Sequence, residues 1–150
     1  MDRAPTPGST VLLTWLSKHV FRQASEDVLG MRLKQFVALT YLRDREACSQ
    51  KALCSSLMLD ANNAVLLLND LEDLGYVERR RDPEDRRRHL VVITKAGLKA
   101  LLRAEAALDS IEHEIFVGLD EDERVELRRL LGKAVAGLRP VDREVAATSS

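Results

Sequence analysis

Between positions 60 and 97 the apolar residues change their period, and few folds accommodate that change. Ala64, Leu67, Leu68, Leu71 and Leu74 recur three and four residues apart, which places them on one stripe of a helix. After Gly75 the spacing gives way to two short β-prone runs, 76–79 and 89–93. The segment 80–88 between them carries Pro83 among acids and arginines, a composition that favours a turn. A helix that stops on a glycine and passes directly into a hairpin with an arginine-rich tip reads as a helix followed by a wing.

The flanking residues extend this reading. Ser49 is suited to cap a helix that puts Leu53 and Leu57 on one side, and Asp60 is suited to cap the striped helix after it. A short helix, a short turn and a second helix make a helix-turn-helix. Upstream, Leu12, Trp15, Leu16 and His19 share a face of a first helix, and Phe36, Leu39, Tyr41 and Leu42 mark another. Downstream, Thr94 opens a long helix with a seam at Leu101, Ala104, Leu108, Ile111 and Ile115. Asp120 with Glu123 three positions on forms a capping-box start for a last helix, whose face is Leu127, Leu130, Leu131, Ala134 and Leu138. The expected fold is mainly α with one small β-hairpin. Residues 1–9 and about 140–150 read as frayed ends.

Three linked motifs resemble the MarR family of winged helix-turn-helix transcription regulators. They are the stretch 71–79 (Leu-Glu-Asp-Leu-Gly-Tyr-Val-Glu-Arg), the stretch 82–87 (Asp-Pro-Glu-Asp-Arg-Arg) and the stretch 90–97 (Leu-Val-Val-Ile-Thr-Lys-Ala-Gly). Residues 118–124 are similar to the family's entry to its last helix, and Gln35-Phe36 to the start of its second. The resemblance implies one domain over 1–150, with a winged head at about 30–97 and dimerisation helices at about 10–28 and 98–138. It further implies a homodimer that binds double-stranded operator DNA as a ligand-responsive repressor.

The expected DNA surface has two parts. With Leu71 turned to the core, the opposite side of the striped helix presents Asn62, Val65, Leu66, Asn69 and Asp73, with Asn63 a further candidate contact near the helix start. Asparagines suit adenine edges and apolar tips suit thymine methyls, although a plain solvent face has the same periodicity. No Lys or Arg lies between Asp60 and Gly75, so guanine readout by a bidentate cation is not available there and the operator is expected to be A·T-rich. Six arginines against four acids leave the hairpin net positive in a chain whose overall charge is -1. A solvated charge run is the ordinary meaning of such a stretch. In the family, the Asp-x-Arg of this loop pairs internally and presents arginine to the minor groove, which here implies Asp85 positioning Arg87, with Arg86 and Arg88 beside it. Lys34 and Lys51 add phosphate contacts. The acids Asp60, Asp70, Glu72 and Asp73 favour a rival reading, a winged-helix interaction protein that has lost specific DNA binding.

Trp15, His19 and Arg22 lie on adjoining turns and suit either a small aromatic acid effector, as several family members bind, or packing in a dimer core. Cys54 is expected to be buried and inert, while Cys48 sits where it could be more exposed near a helix start. His19, His89 and His113 stand apart, with no metal-ligand spacing and no phosphate-cradling glycine loop. No catalytic residue, metal or cofactor is expected. Two cysteines make no disulfide framework, the first residues lack the apolar core of a secretion signal, and no apolar run spans a bilayer. A cytoplasmic location is the expectation.

Overall fold

The computed structural model describes residues 5–138; the expected frayed ends fall largely outside them. Among the described residues, seven helices and three short strands follow in the order α1 (Ser9–Gln23), α2 (Glu26–Leu29), α3 (Leu33–Arg43), β1 (Cys48–Ser49), α4 (Gln50–Ser56), α5 (Ala61–Asp73), β2 (Val77–Arg81), β3 (His89–Ile93), α6 (Lys95–Ile115) and α7 (Glu121–Gly137). The hairpin is β2 and β3 with Val77 opposite Ile93 and Arg81 opposite His89. β1, which periodicity does not suggest, pairs antiparallel with β3 through Cys48 and Val91, giving the order β1-β3-β2. The sheet is thereby anchored to the start of α4.

The element ends are set by side chains that accept orphan backbone N–H groups. Ser49 accepts from Ala52 N, Asp60 from Asn63 N, Thr94 from Gly97 N and Asp120 from Glu123 N. Gly75 ends α5 in the left-handed region at φ 75°, where a side chain would be strained. The Thr94 hydroxyl donates to Gly75 O, and Thr94 N donates to Tyr76 O. A Cβ on Gly97 would collide with the same Tyr76 carbonyl. Gly75, Thr94 and Gly97 therefore close one joint, where the end of α5, the root of the hairpin and the start of α6 meet.

The α5 stripe buries Ala64, Leu67, Leu68 and Leu71. Leu74 departs from the expected stripe: as the C-cap it turns out of the helical phase and is half exposed. A second departure concerns α6, whose coiled-coil-like seam suits a partner helix. Instead, α1, α2 and α3 pack across α6 and bury Leu101, Ala104 and Ile111 within the chain, with Leu108 and Ile115 half-buried. α2, a helix that no apolar repeat announces, covers much of it. α1 and α7 differ, since neither buries any residue. Val11, Leu13, Trp15 and Phe21 on α1, and Val125, Leu130, Val135 and Leu138 on or beside α7, are all exposed large apolar side chains.

Candidate nucleic-acid interface

The turn between α4 and α5 is tight. Leu57 N donates to Leu53 O and Leu59 N to Cys54 O, and Met58 between them adopts φ 55°. A methionine in that region costs on the order of 1 kcal/mol, which the packing of the two helices offsets. The geometry aligns the N-terminal ends of α4 and α5 on the side toward which the hairpin reaches. Together they enclose an open cleft of about 750 Å³, lined among others by Lys51, Cys54, Val65, Asp85, Arg87 and Arg88. Five of the expected DNA-surface residues thus meet in one place: Lys51, Val65, Arg87, Arg88 and the positioning Asp85.

Others stand outside that lining. Asn62 and Leu66 are exposed on α5, Arg86 is exposed in the hairpin loop, and Lys34 is exposed on α3. Asn63 is drawn into the helix cap, its amide donating to Asp60 Oδ2 at 3.0 Å. Asn69 Oδ1 accepts from Arg79 Nη2 at 2.7 Å, so half of its amide is occupied within the chain. Asn62 is left as the asparagine of α5 with no hydrogen-bond partner among the described residues.

Asp85 acts through the main chain. Its carboxylate accepts from Arg87 N at 3.0 Å and its carbonyl from Arg88 N at 3.0 Å, a local turn that leaves the guanidinium groups unpaired. The expected side-chain pairing of Asp85 with Arg87 is therefore corrected: no such ion pair occurs among the described residues. A short Asx turn satisfies the carboxylate before it can reach the arginine's head.

The acids of α5 are committed elsewhere. Asp60 caps its own helix, Asp70 pairs with Arg32, and Glu72 pairs with Arg79 through Nε at 3.2 Å and Nη2 at 3.0 Å. Hydrogen bonding from Arg79 holds the Glu72 carboxyl below the usual carboxylate range, and Asp73 lies close enough to reinforce the charge on Arg79. Ion pairing thereby offsets two of the four acids, Asp70 and Glu72. The Arg79 latch is not visible in the sequence, because its partners lie seven and ten residues upstream across the helix-strand joint. Gln50, Ser55 and His89 also line the cleft and escape the sequence reading; strand alternation was the available signal for His89.

The cysteines exchange their expected places. Cys48 is buried in β1, where strand pairing covers it, and Cys54 is half-buried at the cleft. Burial pushes the Cys54 thiol up, away from the reactive thiolate. Trp15, His19 and Arg22 do come together, with Lys18, around a shallow groove of about 230 Å³ on α1. No group of three or more His, Cys, Asp or Glu among the described residues is placed to hold a metal ion. No described helix is long and apolar enough to cross a membrane.

Comparison with known proteins places this geometry in a family. The sequence profile of the MarR family matches residues 29–88. The HTH-type transcriptional regulator MgrA of Staphylococcus aureus is 31% identical over 101 residues, which cover 67% of each chain. The chain belongs to the MarR family. This MarR-family chain is accordingly a DNA-binding transcription regulator of the winged helix-turn-helix class. Its fold matches that of wild-type MarR from E. coli with a TM-score of 0.75 at 23% identity, covering 87% of this chain and 98% of that one. It is also similar to Bordetella bronchiseptica BpsR, with a TM-score of 0.70, 28% identity and coverage of 89% and 97%. DNA binding by BpsR is regulated by 6-hydroxynicotinic acid.

Proposed function

We propose that the protein is a cytoplasmic, homodimeric repressor that binds an A·T-rich inverted repeat. The observation that carries this reading is the cleft itself: Lys51, Arg87 and Arg88 converge with the exposed start of α5, while the acids of α5 are tied to Arg32, Arg79 and the helix cap. Convergent cations beside an exposed helix suit a duplex, with α5 in the major groove and the hairpin tip reaching the minor groove. Asn62, Val65 and Leu66 supply adenine and thymine contacts. Asn63 and Asn69 border that face, each with one side-chain group already engaged. Arg86 extends the cationic tip, and Lys34 adds a more distant phosphate contact.

Dimerisation is supported by the unburied apolar faces of α1 and α7, which a monomer would leave in water. In this arrangement the whole chain works as one domain, with the head at about 30–97 and the dimer arm built from about 10–28 and 98–138. α6 serves both, burying Leu101 and Ala104 with the head while α1 packs across it. The groove of Trp15, Lys18, His19 and Arg22 has the chemistry for a small aromatic acid, an aromatic plate beside cations, and BpsR gives the precedent of a hydroxylated pyridine acid.

A salt titration of binding to promoter and random-sequence duplex tests the DNA reading. Phosphate contacts impose a log–log slope of about -0.9 for each phosphate neutralised. A protein that has kept the winged scaffold as an interaction surface gives no slope, and that result would remove the proposal.

A further inference from the structure

A second cationic cleft adjoins the first. It measures about 520 Å³ and is lined by Gln50, Arg79, Arg81 and His89. Gln50 and His89 also line the larger cleft, so the two are continuous. Residues two apart on a strand share a face, about 6.8 Å from one another, which sets Arg79 and Arg81 on the face that begins with buried Val77. His89 sits directly opposite Arg81 in the register, and the next residue of that face on its strand is buried Val91. The face that packs on the core at the root of the hairpin therefore continues outward as an open, basic surface.

The members of this surface are not equivalent. Arg79 is bound to Glu72 and Asn69 and forms its fixed inner wall. Arg81 is exposed and has no ion pair among the described residues, although Glu78 lies on its strand and Asp82 follows it; Glu78 is taken by Arg80, and Asp82 accepts from Glu84 N. An unpaired guanidinium facing an imidazole across a strand pair, with a glutamine amide beside them, lacks only an acceptor. The larger cleft joins the start of α5, placed for the major groove, to Arg87 and Arg88 near the tip placed for the minor groove, and the smaller one continues from it between the start of α4 and the hairpin strands. One phosphate strand separates those grooves.

We infer that Gln50, Arg81 and His89 form a phosphate-binding rail that holds the DNA backbone between the two grooves, independently of base sequence. This rests on the proposed DNA reading and extends it to residues outside the recognition helix and the hairpin tip. In each subunit the rail adds one neutralised phosphate through Arg81, while Gln50 and His89 act as hydrogen-bond donors. Arginine suits the task because its planar donor fork matches phosphate oxygens and is weakly hydrated.

The test compares Arg81→Gln, Arg81→Lys, His89→Gln and Arg87→Ala in the full-length protein on a random-sequence duplex, with melting followed in parallel. Arg81→Gln is expected to reduce the salt slope by about 1.8, about 0.9 for each of the dimer's two heads, so that its deficit narrows about twelvefold between 50 and 200 mM salt. Arg81→Lys should restore the slope, which a merely folding-related defect would not allow. His89→Gln should weaken binding without changing the slope or the preferred sequence. An unchanged slope in Arg81→Gln, with a reduced one in Arg87→Ala, would overturn the rail and leave the DNA reading standing. No salt slope in the unaltered protein would overturn both.

Discussion

The winged head and the terminal helices treat their apolar residues in opposite ways. In the head, Leu39, Leu53, Leu68, Leu71, Val77, Val91 and Leu101 are at most 2% exposed, and they interlock α3, α4, α5, the hairpin and α6. On α1 and α7 no residue is buried, and Trp15 is 53% and Leu138 71% exposed. Apolar residues recur at helical spacing in both regions. What separates them is whether the chain itself provides an opposing surface. The head is complete within one chain, whereas the terminal helices are complete only against another surface, which the proposed dimer supplies.

That contrast breaks most visibly at Leu71. Leu71→Ala leaves a cavity between α5 and the sheet and should cost about 2–5 kcal/mol in urea unfolding, independent of protein concentration. A cost below about 1 kcal/mol would mean that the head is not the self-sufficient core described here.

Leu131→Glu on α7 sharpens the other half. A charge on the proposed interface should convert the dimer to monomer at micromolar concentration by sedimentation, while the head keeps its helical spectrum. Loss of fold together with loss of the dimer would show that the two regions are not separable. A folded, stable monomer of the unaltered protein would remove the dimer proposal directly.

The smallest effect concerns the latch between α5 and the hairpin. Because Arg79 holds the folded Glu72 carboxyl below its unfolded value, the pair contributes stability above the ordinary glutamate range and loses it as pH falls through the folded value. The pair is partly exposed, so its contribution is at most about 1 kcal/mol. Glu72→Gln should lower the melting temperature slightly near neutral pH and converge with the unaltered protein in acid. A difference that persists in acid once the folded Glu72 carboxyl is protonated would assign the effect to packing instead.

Local chemistry makes much of the fold legible in the sequence. Ser49, Asp60, Thr94 and Asp120 each cap the helix they precede, and Gly75 ends α5, because a cap involves only a few neighbouring residues. Features formed between distant residues are not legible. β1 has two residues and no periodicity of its own; it exists because Cys48 meets Val91. The inner burial of the α6 seam depends on α2, a single helical turn with no apolar repeat. At the site, the cationic tip is visible as a run of arginines, but the fate of the α5 acids is not. Arg32 lies far upstream of Asp70 in the chain, and only the folded geometry brings them together.

Binding selection on random DNA tests the central claim most directly, since it asks at once for sequence reading and for two-fold symmetry. The account predicts an inverted repeat of A·T-rich half-sites about one helical turn, roughly 10 bp, apart. Asn62→Ala should relax one symmetric pair of positions by about 1–3 kcal/mol. A G·C-centred half-site, or no consensus at all, would contradict it.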